Sequence, residues 1–339
     1  MHAGRNYTLK QVLIWTRRYI YKFLAISIIP VLLYELLAIQ WLAIPWLPMA
    51  LVGTAVAFLI GFKNNASYER QWEARKIWGA IVNASRSWGI MVMDFVTNEH
   101  AVEAIPETEL YQIKRQLIYR HIAWLTALRH QLRTKRAWEN HEVKSDAEYR
   151  KRFPVAETLS KLEDDISFYL IQKEKDYIMG KSNPAAHLVS LQSKHLKDLK
   201  FKGLIEDFRH MEMENMLVEF YTQQGKNERI KNFPYPRQYA TVNRYFVWLF
   251  IVLLPLGMIS EFAEMGAHFV WLTVPFSTLV SWVFHTMERI GDASENPFEG
   301  SPNDIPITAL SRTIEIDLRE MLDETELPEK MEPVNDILM

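Results

Sequence analysis

Apolar residues gather in four runs, at residues 23–42, 47–62, 242–259 and 269–284, while the long stretch between the second and third runs is polar with helical periodicity. Residues 1–22 carry Arg5, Lys10, Arg17, Arg18 and Lys22 and no acid. That basic front resembles a signal peptide, but the apolar run behind it is too long and no cleavage site follows. It reads as a first membrane helix with its N-terminus in the cytoplasm. Pro30 is expected to kink it, and Glu35 to face other helices or the outer interface, because an acid is costly in lipid. Trp41 and Trp46, around Pro45 and Pro48, read as an interfacial turn on the outer side.

The second run spans about 24 Å as a helix, short of the roughly 30 Å of hydrocarbon that a lipid-facing span must cross. Ala50, Gly53, Ala57 and Gly61 recur at helical spacing, a small-residue stripe that admits a close neighbour helix. Thr54, Phe58 and Phe62 sit four apart beside it and share one side of the helix. No stop signal separates this run from Glu69, Arg70, Glu73, Arg75 and Lys76, so one helix is predicted to leave the membrane and continue into water.

Residues 111–133 place Ile113, Leu117, Ile118, His121, Trp124, Leu125 and Leu128 at three- and four-residue spacing, predicting an amphipathic helix about 35 Å long. Further helices are predicted at 155–179, 184–200 and 204–224, with loops at 134–151, 180–184 and 225–237. The short link at 260–268 carries Glu261 and Glu264, whereas Lys231, Arg237, Arg244 and Arg289 lie at the other ends of the third and fourth runs. The positive-inside rule then puts both termini and the helical region in the cytoplasm. The predicted organisation is a cytosolic segment 1–22, membrane helices within 23–63, a helical cytosolic domain 64–240, membrane helices within 241–288, and a cytosolic segment 289–339 with one helix at 307–324. The fold class is an all-α membrane protein with four transmembrane helices.

Composition adds exclusions. A net charge of −2 gives no basic footprint for nucleic acid. With no cysteine there are neither disulfides nor thiolate metal sites. His141–Glu142 lacks the second histidine of a zinc-protease motif, and no P-loop, dinucleotide-binding glycine pattern or nucleophile elbow is present. His121, His130, His187, His195 and His210 are dispersed along helices and read as core or solvated residues. No enzyme, cofactor or metal site is expected.

The segment Gly61, Phe62, Lys63, Asn64, Asn65, then Tyr68, Arg70 and Glu73 to Gly79 (EARKIWG) resembles the signature of the bestrophin family, especially its bacterial members. Asn296, Pro297 and Phe298, then Asp304, Ile305 and Pro306, then Ile314 to Leu318 extend the resemblance, which covers most of residues 7–328. It implies a homopentameric channel in the bacterial inner membrane, passing monovalent ions along a five-fold axis through an apolar neck. Carried over by position, the neck rings are Thr54, Phe58 and Phe62, with Thr54 replacing a bulkier apolar residue and expected to widen or wet its ring. A ring of apolar side chains gates by dewetting. A second, cytosolic constriction is expected near the start of the helix after Asn183–Pro184, at Leu188, with His187 as competitor.

Animal bestrophins bind calcium just after the N-P-F segment, but here residues 299–304 keep Asp304 and lose the run of carboxylates, so no calcium clasp is expected. An anion channel is favoured slightly. Lys63, Arg70 and Arg75 would favour anions if they face the pore. The alternatives are a cation (sodium)-selective channel of the same fold and a membrane-anchored scaffold.

Overall fold

The computed structural model describes residues 1–139, 151, 153–301 and 303–339. The His141–Glu142 pair lies outside the described residues. Two compact units share the chain: residues 4–70 with 234–296, and residues 1–3 with 71–233 and 297–339.

The first unit holds helix α1 (Leu9–Leu36), the front of α2 (Trp46–Phe95), α9 (Arg237–Glu264) and α10 (Thr273–Ser294). Each lies within a segment long and apolar enough to cross a membrane, and there are four such segments among the described residues. α1 starts at a capping box in which the Thr8 side chain accepts from the Gln11 amide while the Gln11 side chain accepts from the Thr8 amide. It runs on through Pro30 to Leu36, beginning well before the apolar run because its first turns bear the basic residues. α1 packs against α9 and α10. Ser277 donates to Ser27 at 2.8 Å and the Trp282 indole to Thr16 at 3.0 Å, hydrogen bonds between α10 and α1 of the kind that join helices where water is absent. Phe23, Met49, Val56, Ile60, Val247, Phe250, Ile251 and Leu254 form the main core. The turn expected around Pro45 and Pro48 is a 3₁₀ segment, Gln40–Leu42, and α2 already begins at Trp46.

The second unit contains the rest of α2, then α3 (Glu107–Arg133), α4 (Ala156–Leu159), α5 (Leu162–Ile166), α6 (Gln172–Met179), α7 (Pro184–Phe201), α8 (Asp207–Asn232) and α11 (Ile307–Glu320). α3 is its centre rather than a one-sided surface helix, since every residue from Leu117 to Leu128 is buried. Three expectations are corrected here. The helix predicted over 155–179 is three short ones, because Ser160 turns its hydroxyl onto Asp165 at 2.7 Å and the backbone at Ser160 and Lys161 is extended. Gly225 does not end a helix: α8 runs through it to Asn232, carried by the buried Gln223, Gln224, Asn227 and Ile230 around it. The last membrane helix, expected to end within 241–288, runs on to Ser294.

Candidate functional site

α2 has two faces with different partners. Met49, Gly53, Val56, Ile60, Lys63 and Ser67 are buried, alternating four and three residues apart. Phe250 of α9 sits so close to Gly53 that a Cβ there would meet its ring at 2.8 Å. The small-residue stripe is therefore only half used within the chain, since a Cβ on Gly61 would meet nothing within 4 Å. The other face carries Leu47, Leu51, Thr54, Phe58, Phe62, Asn65 and Glu69, all exposed. Phe58 and Phe62 are 64% and 69% exposed, high values for aromatic side chains. The exposed faces of α1, α9 and α10 offer Leu24 and Ile29, Leu249 and Val252, and Leu279 and Val283, bulky side chains suited to lipid. The open face of α2 instead mixes its phenylalanines with Thr54, Ala57 and Gly61 and runs into Asn65 and Glu69. Thr54 is less polar than its identity suggests, because its hydroxyl donates to the Ala50 carbonyl at 2.9 Å within the same helix.

Lys63 does not lie on that face. It is 1% exposed, and its ammonium donates to Glu288 at 3.2 Å and to Asp292, both on α10. Arg289 also reaches Asp292, at 3.2 Å, and the Asn64 side chain donates to the Met287 carbonyl at 3.1 Å. Arg70 is half-buried, with Nε donating to the Glu295 carbonyl at 3.0 Å, while Arg75 is exposed. The α10 acids that hold Lys63 went unnoticed in the sequence, where nothing ties positions 225 and 229 residues away to it.

Leu188, the residue expected at the cytosolic constriction, is packed in the core of its unit. It is 0% exposed and lines a small space with Trp124, Leu217 and Phe220. His187, beside it, is half-buried near the Tyr177 ring. The histidines do not converge: His121 faces Ser85, His130 pairs with Asp165 at 2.7 Å, His195 meets Arg120 at 3.2 Å, and His210 lies 3.6 Å from Glu214. Burial pushes His121 down to about 3 and His195 to about 4, so both are neutral near pH 7.

Asp304 is an internal anchor. One carboxylate oxygen accepts from the amides of Phe298 and Ile305, and the other from the Gly300 amide and Arg133 Nη1, all at 2.7–2.8 Å. Phe298 and Gly300 have positive φ, the cost of winding the loop around one carboxylate.

Residues 11–320 match the family model described as Bacterial/Fungal Bestrophin protein. The chain belongs to the bestrophin family. Among its relatives are the voltage-dependent anion channel-forming protein YneE of Escherichia coli (strain K12), 28% identical over 287 residues (84% of this chain, 80% of that protein), and mll4386 of Mesorhizobium japonicum, named likewise and 26% identical over 286 residues (84% and 77%). A crystal structure of a bacterial bestrophin homolog from Klebsiella pneumoniae superposes with a TM-score of 0.73 at 24% identity, covering 91% of this chain and 98% of that one. The fold is thus the all-α bestrophin fold, and the family and the names of its members point to an ion channel rather than an enzyme. In this bestrophin the Asp304 oxygens are already occupied by three amides and a guanidinium.

Proposed function

We propose that this bestrophin forms a homopentameric anion channel of the bacterial inner membrane, with Thr54, Phe58 and Phe62 as successive rings of an apolar neck and both termini and residues 64–240 on the cytoplasmic side. The observation that carries the reading is the open face of α2, where two phenylalanines stand exposed although the opposite face of the same helix is fully packed. A closed ring of identical subunits would face those side chains toward a common axis. Passage through such a neck strips hydration without replacing it, which makes the closed state a dewetted barrier to any small ion.

Anion preference rests on the names of the relatives. It does not come from Lys63, whose charge is balanced by Glu288 and Asp292 inside the core. The test is reconstitution of the purified chain in planar bilayers under a potassium chloride gradient. The reversal potential is expected near the chloride equilibrium value. A value near that of potassium would make this a cation channel of the same fold, and no current would leave a membrane-anchored scaffold.

A further inference from the structure

Between α3 and α11 lies a small polar cavity of about 20 Å³, lined by Thr126 and Arg129 from α3 and by Thr308, Ser311, Arg312 and Glu315 from α11. A space of about 10–15 Å³ already holds one water, so there is room for a single atom-sized guest. Ser311 is 5% exposed and its hydroxyl has no partner; Arg129 Nε is likewise buried and unpartnered. Buried donors without acceptors are uncommon because each costs about 1–3 kcal/mol to leave unmet. Arg312 adds a guanidinium whose Nε meets Glu315 at 3.4 Å while the side chain stays about one-third exposed, giving the cavity a charged rim open to solvent.

The acceptors around the cavity are already committed. Glu157 accepts from Arg129 at 2.5 Å and Thr308 at 2.7 Å, with Arg133 at 3.8 Å. Glu315 accepts from the Tyr169 hydroxyl at 2.7 Å and faces Arg319 at 3.5 Å as well as Arg312. Thr308 and Ser311 also stand in the first turns of α11, at the positive end of its dipole, where the first turn holds no acidic residue. Unmet donors therefore outnumber unmet acceptors around the enclosed space.

We infer that this cavity is a binding site for a small monovalent anion of halide size, coordinated by Ser311 Oγ, Arg129 Nε and the Arg312 guanidinium, and separate from the neck. The inference does not depend on which ion permeates. It assigns the second unit a structural response to the anion concentration of the surrounding water.

The test uses the purified full chain with sodium bromide as probe and sodium gluconate holding ionic strength constant. Bromide is expected to raise the melting temperature saturably, and bromine anomalous scattering from crystals grown in bromide is expected to place a peak in the cavity. Ser311→Ala and Arg312→Gln should each raise the half-saturating bromide concentration about tenfold, the usual cost of one donor to a charged ligand. Both are chosen to fold: the Ser311 hydroxyl supports no other group, and Arg312 is partly exposed. An equal bromide shift in wild type and both variants, no shift at all, or a cavity holding only water would overturn the assignment. Ion flux measured on the same preparations separates the two readings, since an unoccupied cavity alongside normal anion flux refutes this site and leaves the channel standing.

Discussion

Phe58 and Phe62 carry the neck reading with nothing but their own surface. Each is exposed because no side chain of its chain covers it. Truncating both would remove the proposed constriction with little loss of packing inside the subunit, so Phe58→Ala with Phe62→Ala is expected to give an intact oligomer with markedly higher resting flux. Vesicle flux and native mass measured on one preparation check this, and an intact oligomer with wild-type flux would move the neck elsewhere. Lys63 behaves in the opposite way. Buried against Glu288 and Asp292, it makes a methionine replacement strip Glu288 of its ammonium partner and leave Asp292 to Arg289 in the core. Breaking a buried ion pair on one side costs about 3–5 kcal/mol, so Lys63→Met should lose most of its recoverable oligomer in detergent. Restoring balance with Glu288→Gln in the same chain, which leaves Asp292 to Arg289, should recover part of it; unchanged recovery of the single variant would contradict the assigned pairing.

At the scale of the element, α7 ends in a device that glycine alone fits. Gly203 follows the C-cap Lys202 with φ +72°, its amide donates to the Lys200 carbonyl at 2.9 Å, and the Leu204 amide returns to the Leu199 carbonyl at 3.0 Å, the pattern of a Schellman ending. Leu199 and Leu204 are buried beside each other's turns, so the cap also orients the chain into α8. A Cβ on Gly203 would lie 2.2 Å from the His100 carbonyl oxygen. Left-handed backbone costs other residues about 1–2 kcal/mol, and the clash adds to it. Gly203→Ala is therefore expected to destabilise the protein by about 2 kcal/mol or more, read as a fall in melting temperature. Gly225→Ala, in open space mid-helix, should instead be neutral or stabilising by up to about 1 kcal/mol.

For the whole molecule the same buried groups set the response to acid. His121 stays neutral in the folded chain down to about pH 3, whereas an unfolded histidine takes up its proton near pH 6.5. Below about 6.5 the unfolded state binds more protons than the folded one, so stability contributed by His121 is present above that pH and is lost progressively as pH falls toward 3. Burial works against the Glu157 carboxylate, but Arg129, Arg133 and the Thr308 hydroxyl outweigh it and hold it below the ordinary range, so its contribution is also lost on acidification. His121→Phe, which keeps the contacts with Trp88, Trp124 and Phe220, should flatten the decline in melting temperature between pH 7 and pH 5. Parallel declines in wild type and variant would rule His121 out as the source.

How far the sequence reached is clearest on α2. The apolar runs, the charged continuation of the helix and the four-residue spacing of Thr54, Phe58 and Phe62 are local properties, because membrane length, helical period and charge distribution need only neighbouring residues to be expressed. The family signature is equally linear. The sequence did not give the partners of Lys63, the winding of the 298–305 loop around Asp304, or the burial of Leu188. Each depends on a residue from a distant part of the chain: Glu288 and Asp292 on α10, Arg133 at the end of α3, and Trp124 with Phe220 around α7. Helical spacing alone allowed Leu188 to face a passage and Lys63 to lend it charge. Only the packing of helices far apart in sequence decided that both point inward, because an apolar side chain and a charged one reach the same buried position when a suitable partner meets them there.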